Sequence, residues 1–224
     1  GLKEVSDNIA HDLKTPLTRL RNRLEAALAD PDDTDGHRRA LEAAIEDSDG
    51  LIRTFDALLM IARVEAGSSV AAAVPVDLAT IAREVGDLWE PVAEDDGVAL
   101  AVEAAGPVIV SGVRELLAQA LSNLVDNALK YGRAEGRPAT VTIRVETIGG
   151  RAVLSVADNG PGVPEADRAR VLDRFTRLEA SRSAPGSGLG LALVAAVARH
   201  HGGEIELADA APGLNVVLRL PLAA

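Results

Sequence analysis

The stretch His11-Asp12-Leu13-Lys14-Thr15-Pro16-Leu17 decides how the first part of the chain is interpreted. Apolar residues recur around it at steps of three and four, which places them on one face of a helix. They are Val5, Ile9, Leu13, Leu17, Leu20, Leu24 and Leu28. His11 lies two residues from Ile9 and two from Leu13, so at about 100° per residue its side chain points away from that face. His11 is therefore predicted to be exposed, beside Asp12 and one turn before Thr15.

Pro16 indicates that something is gained locally at this exposed surface. A proline here removes the amide that would bond the Asp12 carbonyl, and its ring crowds the same carbonyl, at a cost of roughly 3 kcal/mol. The helix is thus predicted to bend or loosen beside His11. The alternative is a surface histidine next to a helix that ends at Pro16, and a His-Asp pair alone does not decide between the two.

A second helix is predicted from His37 to Ala66, after a turn at residues 31–36. Its apolar and small residues alternate steps of four and three, the heptad period of a left-handed coiled coil. They are Leu41, Ile45, Ser48, Ile52, Phe55, Leu59, Ala62 and Ala66. Two antiparallel helices with wide apolar faces cannot bury those faces against each other alone. We therefore expect a second copy of the chain, giving an all-α dimeric four-helix bundle.

The composition excludes several classes of function. With a net charge of −11 and 2% aromatic residues among 224, the chain is not expected to bind nucleic acid, because the charge has the wrong sign and stacking platforms are scarce. It has no cysteine, hence neither disulfides nor thiolate metal sites. No apolar run approaches the ~20 residues that span a bilayer. The first residue is Gly, and we expect the chain to be part of a longer protein.

The pattern changes after the second helix. Gly67-Ser68-Ser69 and Pro75 interrupt the heptad, and strands then alternate with helices. Helices are predicted at 77–93, 113–131 and 189–200, and strands at 98–103, 108–110, 140–147, 152–157, 204–207 and 216–220. The expected organisation is a helical hairpin at 1–66, a linker at 67–75, and an α+β sandwich at 76–224 with helices on one face of a mixed sheet.

Three polar residues gather on one side of the helix predicted at 113–131. Asn123, Asn127 and Lys130 fall opposite its apolar stripe. The side-chain oxygen of Asn127 is a suitable Mg²⁺ ligand, since Mg²⁺ prefers hard oxygen donors and keeps waters and phosphate oxygens elsewhere. Lys130 suits a phosphate as a point charge. An ordinary solvated helix face explains the same residues, and the helix alone leaves both interpretations open.

Two glycine-rich segments lie in the second half of the chain. Asp158-Asn159-Gly160-Pro161-Gly162 places a carboxylate at a strand end, where it suits an exocyclic amino group such as that of adenine. An ordinary turn is the alternative. Gly186-Ser187-Gly188-Leu189-Gly190 opens a helix whose N-terminus suits phosphate. No strand directly precedes it, which excludes a Rossmann fingerprint. Between the segments, Arg177 suits either a phosphate or a surface ion pair.

The order of these pieces resembles that of bacterial sensor histidine kinases. The His11 block, the Asn123–Tyr131 block, Asp158-x-Gly160-x-Gly162, the Phe175 block and Gly186-x-Gly188-x-Gly190 are similar to the H, N, G1, F and G2 boxes of that family. Five motifs in sequence, from about Val5 to Leu222, make a chance match very improbable. The implied architecture is a dimerisation and histidine-phosphotransfer hairpin followed by a Bergerat-type ATP-binding domain.

The resemblance assigns roles to the residues of the first box. His11 matches the histidine that attacks the γ-phosphate of ATP, and Asp12 matches the acidic residue that takes up or orients the imidazole proton. Thr15 matches the position that helps to orient water when the phosphorylated partner is dephosphorylated. The other histidines, His37, His200 and His201, are interpreted as structural residues at helix ends.

The remaining boxes imply the nucleotide site. Asn127 matches the Mg²⁺-coordinating asparagine, Asp158 the adenine-recognising aspartate and Tyr131 a ring packed near adenine. Asn123, Lys130 and Arg177 are expected toward the phosphates. Leu189 of the G2 box is also expected at the nucleotide. The glycines of the G1 and G2 boxes are expected to permit close approach and lid motion: Gly160, Gly162, Gly186, Gly188 and Gly190. One departure is Leu172, where the F box usually has a second aromatic residue.

The expected function is that of an ATP- and Mg²⁺-dependent protein-histidine kinase. It would autophosphorylate His11 and transfer the phosphoryl group to an aspartate on the receiver domain of a response regulator, and also act as its phosphatase. We expect a homodimer that forms the cytoplasmic portion of an inner-membrane sensor whose sensing and transmembrane parts lie upstream. The alternatives are a catalytically silent dimeric scaffold and another ATPase of the same superfamily, such as a chaperone or mismatch-repair ATPase.

Overall fold

The structure is a computed structural model, and it describes residues 17, 18, 20–22, 24–28, 34–65, 73–134, 136–178 and 188–223. The chain divides into two compact units, residues 1–62 and 63–224. His11, Asp12, Thr15 and Gly186 lie outside the described residues, as does most of the predicted linker. In the described part, no helix is both long and apolar enough to cross a membrane.

The first unit contains two helices, α1 within residues 17–28 and α2 at Thr34–Glu65. The His37 Nε2 atom donates a hydrogen bond to the Ala27 carbonyl at 2.7 Å, which ties the start of α2 to the end of α1. Leu58 and Ile61 are buried on one face of α2. The predicted heptad forms a different face, on which four apolar residues are exposed, including Ile52 at 59% and Phe55 at 44%.

The second unit alternates strands with helices. Its elements, in chain order, are β1 (Val74–Asp77), α3 (Leu78–Asp95), β2 (Val98–Ala104), β3 (Ile109–Gly112), α4 (Arg114–Tyr131), β4 (Ala139–Ile148), β5 (Arg151–Asp158), the one-turn helix α5 (Glu165–Arg168), a 3₁₀ turn (Arg170–Leu172), α6 (Gly190–His200), β6 (Glu204–Asp209) and β7 (Leu214–Pro221).

Five strands form one mixed sheet in the order β2-β4-β5-β7-β6. β2 runs parallel to β4, and the other neighbours are antiparallel. Alternate residues along β4, such as Val141, Ile143 and Val145, are buried on one face of the sheet. The contacts of α3 with β2 and of α4 with α6 place the helices in one layer. The α+β sandwich expected from the sequence is confirmed.

Local sequence explains where several elements begin and turn. Asp77 caps α3, since its Oδ1 accepts the Ala79 N–H at 3.0 Å and the Val108 N–H at 2.9 Å. Gly149 and Gly150 both have positive φ (58° and 76°) in the tight turn between β4 and β5.

β1 is a strand that the sequence analysis did not predict. Pro75 made this segment resemble a linker, but β1 pairs only with β3 in a separate two-stranded sheet. A proline is compatible with a strand that has a free edge, because its missing N–H need not face a partner. The predicted boundary between the hairpin, linker and sandwich stays a prediction.

His201 connects the end of α6 to the start of α4. Its ring is 8% exposed, its Nε2 accepts the Val113 N–H at 3.0 Å, and its Nδ1 donates to the Val197 carbonyl at 2.8 Å. Burial lowers the pKa of His201; the hydrogen bond to Val197 opposes this, and the neighbouring His200 adds to the lowering. The folded unit therefore favours the neutral imidazole, whose Nε2 has a lone pair to accept with.

We expect this histidine to make stability depend on pH. The ordinary pKa of histidine is 6.5. Well above this pH the ring is neutral in both the folded and the unfolded chain, and its contribution to stability is complete. As the pH falls through the interval below 6.5, the unfolded chain binds a proton before the folded chain does, so the free energy of unfolding decreases. Urea unfolding at a series of pH values, followed by the fluorescence of Trp89, the single tryptophan, measures this change in the free energy of unfolding. His201→Phe should lose less stability over the same interval, and an equal loss would contradict the prediction.

Candidate functional site

Asn127 lies on α4 where this helix meets the start of α6. The buried side of α4 carries Leu117, Leu121 and Leu124, and Asn127 is half-buried at the border of that side. A methyl group added at Gly190 would lie 3.1 Å from the Asn127 Nδ2 atom. The structure therefore brings a residue of the predicted N box against a glycine of the predicted G2 box.

Two other predicted residues of α4 have local partners. Asn123 donates from Nδ2 to the Gln119 carbonyl at 3.0 Å, within its own helix. Lys130 Nζ lies 2.6 Å from Asp126 Oδ2, in an exposed ion pair one turn apart. Surface pairs of this kind contribute little stability, so a phosphate can replace Asp126 at small cost. Both side chains remain on the same side of α4 as Asn127.

Asp158 is the last residue of β5 and has one carboxylate oxygen fixed by the backbone. Its Oδ1 accepts the Gly160 N–H at 2.9 Å and the Leu214 N–H at 3.2 Å. Among the described residues, Oδ2 has no hydrogen-bond donor. Burial raises the pKa of the Asp158 carboxyl, and the two N–H donors oppose that rise. The side chain is thus oriented by the protein through one oxygen, while the other is available to a ligand.

Glycines surround Asp158 because the backbone passes too close for side chains. A methyl group at Gly132 would lie 2.6 Å from the Asp158 Cβ, and one at Gly160 would lie 2.6 Å from the Gly132 Cα. Gly160 also contacts the Tyr131 carbonyl. Gly162 has a φ of 73°, which glycine adopts readily. The end of α4 and the segment after β5 therefore form one wall of the site.

The turn between β6 and β7 is a part of the site that the sequence analysis missed. A methyl group at Gly213 would overlap the Asp158 carbonyl oxygen, and Gly213 has a φ of 114°. The next residue, Leu214, donates its N–H to the Asp158 carboxylate. Pro212-Gly213 signals a turn, but only the pairing of β5 with β7 shows that this turn returns to Asp158.

Asn159 and Arg137, also missed, hold the loop between α4 and β4 against the same segment. Asn159 accepts the Thr140 N–H at 2.9 Å and donates to the Pro138 carbonyl at 2.8 Å. Arg137 donates to the Gly160 carbonyl at 3.1 Å. These bonds fix the backbone beside Asp158 from the side opposite the β6–β7 turn.

Phe175 and Gly188 close a neck at the two ends of residues 176–187. The Phe175 N–H donates to the Gly188 carbonyl at 2.9 Å, and both residues have positive φ (60° and 71°). Leu189 is fully buried just before α6 begins at Gly190, and Arg177 is half-buried near the neck. The neck holds the N-terminus of α6 close to Asn127.

The assembled site offers an oriented carboxylate, an amide oxygen, a helix N-terminus and glycine backbone. Within the described residues, no group of three or more His, Cys, Asp or Glu side chains could hold a metal ion. A divalent cation at Asn127 would therefore take most of its oxygen ligands from water and a bound phosphate, the manner that Mg²⁺ favours. The donor set fits a purine nucleotide with its phosphates toward α6.

Comparison with known proteins gives the family. Residues 2–67 match the His Kinase A (phospho-acceptor) domain, and residues 112–224 match the histidine kinase-, DNA gyrase B- and HSP90-like ATPase. The sensor protein IrlS of Burkholderia pseudomallei is 36% identical over 90% of this chain and 43% of its own length. The chain spans less than half the length of the first curated relatives it matches.

Solved structures agree with the family models. Full-length ShkA in complex with AMPPNP is 28% identical, with a TM-score of 0.71 over 97% of this chain and 46% of that one. The histidine kinase AdeS of Acinetobacter baumannii shares the fold at 21% identity, with a TM-score of 0.75 over 96% of this chain and 98% of that one. The order of a phospho-acceptor hairpin and an ATPase sandwich with this site identifies the chain as a member of the sensor histidine kinase family.

Proposed function

We propose that this chain is an ATP-dependent protein-histidine kinase that phosphorylates His11 and passes the phosphoryl group to an aspartate of a response regulator. The observation that carries the proposal is the Asp158 carboxylate, which has one oxygen fixed by two backbone donors beside a wall of glycine backbone. The assignment of His11 as the phosphate acceptor follows from family membership. The regulator follows from the family and from no residue of this chain.

The nucleotide base is assigned to Asp158. Its Oδ2 would accept a hydrogen bond from the exocyclic amino group of adenine, an interaction that guanine, with a carbonyl at that position, cannot make. Tyr131 ends α4 beside Gly160, within the same wall, and we assign its ring to pack near the base. Gly132, Gly160 and Gly213 allow the backbone segments around Asp158 to pack closely, which fixes the position of its carboxylate.

The phosphates are assigned to the α4 and α6 side of the site. Among the described residues no side chain caps the N-terminus of α6, which offers its first N–H groups and the positive end of a helix dipole. Asn123, Lys130 and Arg177 supply polar and positive groups, and Asn127 would hold Mg²⁺ through its amide oxygen. Bound Mg²⁺ would neutralise phosphate charge during transfer.

The chemistry at His11 follows from the properties of imidazole. A neutral ring nitrogen has a lone pair that attacks the γ-phosphorus; the N–P bond forms, the bond to the β-phosphate oxygen breaks, and ADP leaves. The proton of the ring goes to Asp12. Transfer to a carboxylate of the regulator then restores neutral His11. Thr15 is assigned to orient water in the opposing phosphatase reaction.

Dimerisation is assigned to the exposed heptad of α2. Leu41, Ile45, Ile52 and Phe55 are each more than 40% exposed, and they repeat at intervals of four and three along one face. Leaving such a stripe in water is unfavourable by about 25 cal/mol per Å² of apolar surface. A second copy covers it with the same residues in a two-fold bundle. In the full-length protein, sensing and membrane segments would precede this cytoplasmic part.

We expect γ-labelled ATP with Mg²⁺ to label the wild-type chain with an acid-labile, base-stable phosphate, the behaviour of a phosphoramidate. His11→Gln and Asn127→Ala should reduce the label to background, because one loses the acceptor and the other a ligand of the cation. His37→Gln is the matched control and should be labelled normally. Nucleotide binding without any label would favour the silent scaffold, and label surviving in His11→Gln would exclude His11 as the acceptor.

Nucleotide affinity should depend on Asp158 and on the turn that holds it. Asp158→Asn should raise the Kd of AMPPNP roughly 10- to 100-fold, since it removes a charged acceptor. Gly213→Ala should weaken binding at least tenfold, because the added methyl group meets the Asp158 carbonyl. Gly106→Ala is the control, since nothing lies within 4 Å of its new Cβ. Isothermal titration measures all four proteins, and unchanged affinity in Gly213→Ala would contradict the assignment.

Light scattering at micromolar concentration should give the mass of a dimer. Replacing both Ile52 and Phe55 by Ser should shift the mass toward the monomer, since the two are exposed within one chain and buried only between copies. Ser replacement of exposed Leu88 on α3 is the control and should leave a dimer. A monomeric mass for the wild-type chain would contradict the assignment of the exposed heptad of α2 as a dimer interface.

A further inference from the structure

The His201 ring is a bridge between two helices, and its surroundings are shaped for it. A methyl group at Gly112 would lie 2.6 Å from the His201 Cδ2 and 2.8 Å from its Nε2, so only glycine leaves room for the ring. Val113 precedes α4 at the N-cap position, where no side chain caps the helix. Its N–H is satisfied by the His201 Nε2 at 3.0 Å. The Nδ1 of the same ring returns to α6 at the Val197 carbonyl.

The bridge lies at the opposite end of the α4–α6 pair from the nucleotide site. α4 runs from Val113 toward Asn127, and α6 runs from Gly190, which contacts Asn127, back to His201. The two helices are therefore antiparallel and are joined at both ends. The His201 bonds set the position of α6 along α4 at one end, and the Gly190–Asn127 contact depends on that position at the other.

Small side chains make up much of the packing between the two ends. The buried side chains of α6 include Ala192, Ala195 and Ala196 beside Leu193, Val194 and Val197, and α4 contributes Ala120 beside its buried leucines. Helix positions are fixed by side-chain ridges that fit into grooves, and alanine makes shallow ridges. Apolar burial is also non-directional, so a small slide costs little of it. Hydrogen bonds lose strength steeply with misalignment. The directional constraint at this end of the pair is the imidazole.

We propose that His201 is a positioning residue for nucleotide binding: its neutral ring, bonded to Val113 and Val197, holds α6 at the place along α4 where the α6 N-terminus and Asn127 face the same phosphates. The inference rests on the proposed function, in that the ligand of this site is an adenine nucleotide. His201 itself touches no ligand.

The test compares AMPPNP affinity and ATP kinetics among variants of the whole chain. His201→Phe keeps the ring volume but loses both hydrogen bonds, and it should raise the Kd about tenfold. His201→Gln keeps a donor and an acceptor on one planar group and should restore the Kd to within about threefold of wild type. His200→Phe alters the exposed neighbour and should change nothing. Gly112→Ala displaces the ring without removing it and should also raise the Kd, which covers the case in which His201→Phe fails to fold.

The kinetic measurement separates positioning from general destabilisation. In His201→Phe, KM for ATP should rise while kcat at saturating ATP stays within about twofold of wild type, because the nucleotide restores the helix position on binding. An unchanged Kd in the folded Phe and Ala variants would overturn the proposal, as would a Gln variant as weak as Phe. If His11 is never labelled, the proposed kinase activity fails, but the AMPPNP comparison still decides the role of His201.

Discussion

The half-buried carboxylate of Asp158 is the constraint on which the nucleotide site depends. A carboxylate taken out of water needs strong hydrogen bonds, and here two backbone N–H groups, from Gly160 and Leu214, bind the same oxygen. The donors come from segments far apart in the chain, so both must approach closely. That closeness excludes side chains at Gly132, Gly160 and Gly213. The orientation of the free oxygen is therefore a property of the sheet.

The sheet order makes this convergence possible. β5 lies between β4 and β7, so the chain that leaves β5 at Asp158 meets the loop that enters β4 on one side and the turn that enters β7 on the other. Asn159 accepts a hydrogen bond from Thr140 at the start of β4, and Leu214 at the start of β7 donates one to Asp158. The central strand of a mixed sheet thus delivers its last side chain into a site with walls on both sides. An edge strand would leave one wall missing.

Features fixed by short-range rules were predictable from the sequence. The helices predicted at 77–93, 113–131 and 189–200 depend on periodic patterns of neighbouring residues, and they agree with α3, α4 and α6. The glycine-flanked Asp158 was also found, because its motif is continuous. β1, Gly213 and the cross-helix bonds of His201 were not found, since each depends on strand pairing or helix packing between residues distant in sequence. His201 does end its helix beside a glycine of positive φ, as expected, but its position in sequence does not reveal its partner Val113.

The neck between Phe175 and Gly188 has a consequence for how such domains can diversify. One backbone hydrogen bond joins Phe175 to Gly188, so the points at which residues 176–187 begin and end are held at a fixed distance from each other. The entropy of closing a flexible loop grows only with the logarithm of its length, and doubling the loop costs about 0.6 kcal/mol. Insertions and deletions there should leave Gly190 and Asn127 in place. This loop is consequently the segment in which variation in length is tolerated beside an otherwise invariable geometry.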